Sequence, residues 1–203
     1  EVSMQDATYA SLASNLGMTH ARGDAAPDRT GNRHGGLGIS PYNVYQTSDG
    51  YVVLNCPGDH HFRALLDVMG RGDLKDDPRF VSRSARVQNF EAVDALIEAW
   101  TKTISKYEVA EKMLEQAVPC APVRNLREVM QDRNMLARGS LQMIDHPELG
   151  RVPLPHSPLV FEGTPRRQIA PSRPLGEGND EVFGGWLGHS AAELAALKTE
   201  GVI

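Results

Sequence analysis

Few residues in this chain have both the type and the spacing of a reaction centre. Asp59 is a carboxylate set between Pro57-Gly58 and an apolar-periodic run. It could be chemical, or it could cap the helix that follows. His60 and His61 are adjacent, so they cannot share one helical face, and no third ligand stands at metal spacing; they read as solvent-facing or capping residues, and no metal site is expected. Asp145 and His146 could suggest a dyad, but neighbours rarely point together, and His146-Pro147 fits the start of a surface turn. Cys56, ahead of Pro57, could be a nucleophile, yet its place reads as a buried strand end. The remaining feature is a glycine-rich run, His34-Gly35-Gly36-Leu37-Gly38, whose glycines supply backbone freedom that other residues would not.

The elements that must position these residues follow from periodicity. Met4, Ala7, Tyr9, Leu12, Ala13 and Leu16 recur at helical intervals from Ser3 to Leu16, and Gly17 is a natural stop. From Thr19 to Ser40 the pattern dissolves into Gly, Asp, Arg and Pro. A structureless stretch of about 20 residues inside a compact domain binds something or connects domains. Next, Asn43–Thr47 and Tyr51–Cys56 are rich in β-formers and flank the turn triplet Ser48-Asp49-Gly50, which predicts an antiparallel hairpin. A helix follows, carrying Phe62, Leu65, Leu66 and Met69 and closed by Gly70, with Asp59 expected to accept from its free amides.

Three more helical stretches come after it. Asn89 precedes Val93, Leu96, Ile97 and Trp100 on one face, Ser105 with Glu108 precedes Val109, Met113 and Leu114, and Asn125 with Glu128 precedes Val129 and Met130. Between the last two, Val118-Pro119-Cys120-Ala121-Pro122-Val123 must be extended, because residues before proline avoid the helical region. After Leu141, seven of the 13 prolines mark an arm travelling over a surface. Helical text returns at Glu181–Leu187 and after the box Ser190-Ala191-Ala192-Glu193.

Composition narrows the classes. A chain of 203 residues with 40% hydrophobic residues can bury a core. Two cysteines without CxxC spacing exclude a secreted disulfide framework and point to a reduced, cytoplasmic setting. A net charge of −5 with signs interspersed offers no basic stripe, so no nucleic acid is expected. No apolar run approaches the roughly 20 residues that cross a bilayer, and no membrane partner is expected. The sequence opens at Glu1 directly into a patterned segment and reads as a chain cut in the middle.

An ordered series of motifs resembles the class III CoA-transferases (CaiB/BaiF type), the family that includes formyl-CoA transferase, carnitine CoA-transferase and 2-methylacyl-CoA racemase. It runs from Val2-Ser3-Met4-Gln5-Asp6-Ala7 through Gly31-Asn32, Pro41-Tyr42 and Thr47-Ser48-Asp49-Gly50-Tyr51. Asn55 to Phe62 and Val118 to Val123 continue it, and His146-Pro147, Gly150, Pro171, Pro174-Leu175-Gly176-Glu177 and Asn179 close it. The resemblance implies the C-terminal half of such an enzyme, with an α/β fold. Residues 1–40 would be a helix and glycine-rich interdomain linker, and 41–140 a small α/β domain with an antiparallel hairpin and helices. Residues 141–203 would be a proline-rich arm returning to a nucleotide-fold large domain.

It further implies an acyl-CoA:carboxylate CoA-transferase acting on a coenzyme A thioester and a carboxylic acid acceptor, with no permanently bound cofactor. In the family an aspartate attacks the acyl-CoA, giving a mixed anhydride and then an aspartyl-CoA thioester. That aspartate precedes the segment matched by Val2, so no catalytic residue is expected in this chain. The substrate-binding candidates are His34, Gly35, Gly36 and Gly38, in the position of a loop that covers the acyl intermediates, and Asp59, near an acidic residue of the racemase branch. Either an interlocked homodimer or a missing N-terminal half would complete the site. The rival expectations are 2-methylacyl-CoA epimerisation and a non-catalytic assembly module.

Overall fold

The computed structural model describes residues 1–203, which divide into two compact units, Glu1–Arg124 and Asn125–Ile203. No helix is long and apolar enough to cross a membrane.

The first unit is built on the expected hairpin. Strands β1 (Tyr42–Gln46) and β2 (Tyr51–Asn55) pair antiparallel, with Val44 opposite Val53 and Tyr45 opposite Val52. The hexapeptide between helical stretches is extended, as proline demands, and more: β3 (Cys120–Pro122) pairs antiparallel with β2, placing Cys120 opposite Leu54. Side chains alternate across this three-stranded sheet, so Tyr45, Val52 and Leu54 face inward.

Helices α3 (Asp59–Val68), α5 (Phe90–Thr101) and α6 (Lys106–Glu115) cover that inner face. They contribute Phe62, Leu65, Leu66, Val93, Ile97, Val109 and Met113 to one core cluster with the strand residues, Cys56, Phe80 and Val118. Each fully buried aliphatic or aromatic side chain contributes about 1.5–3 kcal/mol, which makes this cluster the main source of the unit's stability. Gly70, at φ +69°, ends α3 as expected, and the Arg71 amide bonds back to the Leu66 carbonyl at 2.7 Å. The short α4 (Arg83–Gln88), capped by Ser82, joins α3 to α5.

Two expectations for the N-terminal segment are corrected. The helix breaks at Leu12 into α1 (Met4–Ser11) and α2 (Ala13–Arg22), and it runs through Gly17 to a left-handed Gly23. Gly17 fails as a stop because its own φ is not left-handed and Met18, just beyond it, is buried. The patternless stretch therefore begins after the short turn Gly23–Ala25, later than Thr19.

In the second unit, both halves of the Asn125/Glu128 box form and open α7 (Leu126–Met130), and α8 (Arg133–Ala137) follows. The arm after Leu141 is not simply a surface-travelling coil at its start. It forms the hairpin β4 (Leu141–His146) and β5 (Gly150–Pro155), with Pro153 opposite Met143. Two prolines fit β5 because a two-stranded sheet leaves each strand an edge that needs no amide donor. His146 starts the turn, its Nδ1 accepting from the Glu148 and Leu149 amides. The text from Glu181 to Leu187 coils as a π-helical turn, Asp180–Trp186, and the Ser190/Glu193 box opens α9 (Ala191–Thr199).

Candidate functional site

The glycine run hangs between two arginines. On its entry side a turn closes from Thr30 to Arg33, with the Arg33 amide donating to the Thr30 carbonyl (3.3 Å) and the Thr30 hydroxyl to the Arg33 carbonyl (3.1 Å). The Arg33 side chain then reaches α5. Its Nε lies 2.8 Å and its Nη2 2.7 Å from Oδ2 of Asp94, and Nη2 also donates to Glu91. Asp94 collects further donors from β1: the Tyr45 hydroxyl at 2.7 Å and the Asn43 amide at 3.1 Å. Burial works against the Arg33 cation, but its hydrogen bonds to Asp94 and Glu91 outweigh that and hold the guanidinium pKa above its ordinary value. Burial, reinforced by the Asp94 charge, pushes the Tyr45 phenol up strongly, so this hydroxyl remains a donor.

Within the run, the His34 amide donates to the Tyr42 carbonyl at 3.3 Å, and the imidazole stacks on the Tyr42 ring at 4.9 Å. The Gly36 amide donates to Nδ1 of His34, and the Leu37 amide to the His34 carbonyl. The glycines matter here for space rather than for left-handed backbone. A Cβ on Gly35 would overlap the Asn15 side chain of α2, and one on Gly36 would sit 3.0 Å from the His34 ring. The residue with positive φ is Leu37, at +47°, and a Cβ on Gly38 would meet nothing closer than 3.9 Å.

On the exit side the Ser40-Pro41 peptide is cis, and the Ser40 carbonyl accepts from Nε of Arg86 at 2.8 Å. Arg86 projects from α4 into the core and is only 1% exposed. Its other nitrogens bond the Phe80 carbonyl (3.0 Å) and Oδ1 of Asp59 (2.9 Å), and its guanidinium lies 4.6 Å from the Phe62 ring centroid. Asp59 is thus corrected as a cap: Gly58 occupies the cap position, Asp59 is the first helical residue, and its half-exposed carboxylate serves the buried cation. His61 caps instead, its Nδ1 accepting from the Gly58 amide at 3.3 Å. Burial and then the neighbouring His60 lower the His61 pKa.

The structure therefore brings His34, Gly35 and Gly36 together against Tyr42 and α2, and it joins Asp59 to the end of the same run through Arg86. Nothing around Gly38 requires a glycine there, since an added Cβ would have ordinary room. Cys56 is buried at the end of β2, and burial pushes its thiol up to about 12, which suits a packing role over a nucleophilic one. No group of three or more His, Cys, Asp or Glu side chains is gathered as metal ligands. Sequence reading missed Arg33, Asp94 and Arg86. Apart from the Phe80 carbonyl, six residues before Arg86, their partners lie 27 to 61 residues away, and nothing in the six-residue helix that carries Arg83 and Arg86 signals that the second is buried.

The chain belongs to CoA-transferase family III, whose sequence profile matches residues 1–179. It is 34% identical over 186 residues to a formyl-CoA:oxalate CoA-transferase of Streptomyces avermitilis, covering 89% of this chain and 44% of that protein. It is 31% identical over 199 residues to a succinate–glutarate CoA-transferase of Agrobacterium fabrum, covering 98% and 46%. The crystal structure of a CAIB/BAIF family protein from Brucella suis superposes with a TM-score of 0.71 at 31% identity, over 93% of this chain and 46% of that one. The chain spans less than half the length of these relatives.

Proposed function

We propose that residues 1–203 form the loop-bearing portion of an acyl-CoA:carboxylate CoA-transferase. The observation that carries this reading is the glycine run itself: a short segment, free of bulky side chains at Gly35 and Gly36 and held at both stems, in a chain that belongs to CoA-transferase family III. Such a segment can settle over a reacting thioester and keep water from it, and exclusion of water is what a covalent acyl intermediate needs most. In this reading His34, Gly35, Gly36 and Gly38 face the acyl group. The attacking aspartate, and the aspartyl-CoA thioester formed on it, lie on polypeptide outside these residues. Residues 141–203 are then the arm that returns to a nucleotide-fold large domain, in an interlocked dimer.

The substrates are a CoA thioester of a small carboxylic acid and a free carboxylate acceptor, the class named for the formyl-CoA:oxalate and succinate–glutarate relatives. Asp59 supports this reading over epimerisation. One of its oxygens is engaged by Arg86, whose removal from Asp59 would strand a buried cation, so the carboxylate is poorly placed to act as a mobile base.

The test is reconstitution with the polypeptide that completes the length of the relatives. Formyl-CoA with oxalate, and succinyl-CoA with glutarate, are supplied in turn, and the new thioester is followed by chromatography. Hydroxylamine trapping of an aspartyl thioester is expected alongside transfer. A stable assembly that transfers CoA to neither acceptor would sink the proposal.

A further inference from the structure

The two stems of the glycine run are each held by an arginine, one through a hydrogen bond to a backbone carbonyl and one through an ion pair. At the exit, the protein core reaches out: Arg86 of α4 grips the Ser40 carbonyl. At the entry the run itself reaches in, because Arg33, the residue before His34, carries its guanidinium to Asp94. Asp94 does not depend on Arg33 for its orientation, since Tyr45 and Asn43 on β1 hold both of its oxygens. The Arg33–Asp94 contact has side chains 26% and 17% exposed, whereas Glu91, the other partner, is 88% exposed. Solvent screens the second pair far more than the first. The geometry therefore makes Asp94 a preset socket and Arg33 the plug that the run supplies.

We infer that Arg33 and Asp94 are positioning residues for the glycine run: their ion pair fixes its entry stem and confines its movement to His34–Ile39. This rests on the reading of the run as a cover for acyl-CoA chemistry, and it adds the device that returns the cover to one place after each opening. Three amides report the position of the run directly, those of His34, Gly36 and Leu37, because each is hydrogen-bonded within the run or to Tyr42.

Hydrogen exchange on the 203-residue chain tests it. Arg33→Gln removes the plug and leaves the socket's own bonds to β1 intact. It should speed exchange at the His34, Gly36 and Leu37 amides about tenfold while β1, β2 and α5 keep their rates. Arg33→Lys, which keeps the charge but not the fork, should fall between, and it supplies the same comparison if the glutamine variant does not fold. Glu91→Gln should change nothing. Unchanged exchange in the run, or acceleration spread equally over the sheet, overturns the inference. In the reconstituted enzyme, Arg33→Gln should raise the share of acyl-CoA lost to water relative to that transferred, with KM for acyl-CoA little altered. Faster exchange without that change in partition would leave the tether standing and refute the cover.

Discussion

At the scale of single residues, the buried arginine dominates. Arg86 makes three hydrogen bonds from a site closed to solvent, and removing it strands the Ser40 and Phe80 carbonyls as well as vacating a core volume. Arg86→Leu should cost about 3–5 kcal/mol, read as a lowered urea midpoint. Asp59→Asn should cost only about 1–2 kcal/mol, because the amide oxygen can still accept from Arg86 and the carboxylate is half solvated. A loss as large as that of Arg86→Leu would show that the carboxylate charge itself is needed.

The thiols give a pH prediction. Burial pushes Cys56 up to about 12 and Cys120 to about 11, from an ordinary 9.0. Both folded values are raised, so the associated stability is fully present below pH 9 and is lost as pH rises through 11 to 12. Unfolding midpoints measured from pH 8 to 11.5 should fall at the alkaline end, and less so in Cys56→Ala. Asp59 stood out by its place before a helix, but neither its arginine partner nor Arg86 itself did, because those environments are made by distant segments. Cys56 was legible too, since its place at a strand end already implied burial.

At the scale of elements, what was legible was local. The β1–β2 hairpin is announced by its turn triplet, and the Asn125/Glu128 and Ser190/Glu193 boxes form as spaced. The Ser105/Glu108 pair forms only the half in which Ser105 accepts from the Glu108 amide. What was not legible needed partners. The Val118–Val123 hexapeptide showed its extended backbone through its prolines but not the β2 edge it joins, the Leu12 break had no punctuation to mark it, and His146-Pro147 marked a turn without showing the strands it joins. The glycine run belongs to this scale too, because Gly35 is required by an element distant in sequence. Gly35→Ala should push the run off α2 and lower the thermal midpoint. Removing the obstructing amide in Gly35→Ala/Asn15→Gly should recover most of the loss beyond the cost of a helical glycine. Failure of the double variant to recover would mean that Gly35 is needed for its backbone alone.

At the scale of the whole molecule, the chain carries large apolar side chains in the open. In the first unit Met4, Tyr9 and Leu16 are exposed along α1 and α2, and in the second Leu159, Val160, Phe161, Trp186 and Leu187 are exposed. Surfaces of that kind seek cover. Alone, the chain should associate as its concentration rises in sedimentation velocity, and added polypeptide completing the length of its relatives should suppress that association. A chain that stays monomeric and binds no hydrophobic dye would argue that these side chains need no partner.

Arg86 has one more consequence. The most deeply buried charge in the chain is bonded at the exit of the segment we propose as a cover, and it grips that exit by a backbone oxygen rather than by a side chain. Substitution within the run cannot remove this handle, whatever residue stands at position 40. Selection for heat tolerance at positions 34–39 is therefore free to reshape the cover without loosening its hinge, whereas selection at position 86 must trade endurance against motion.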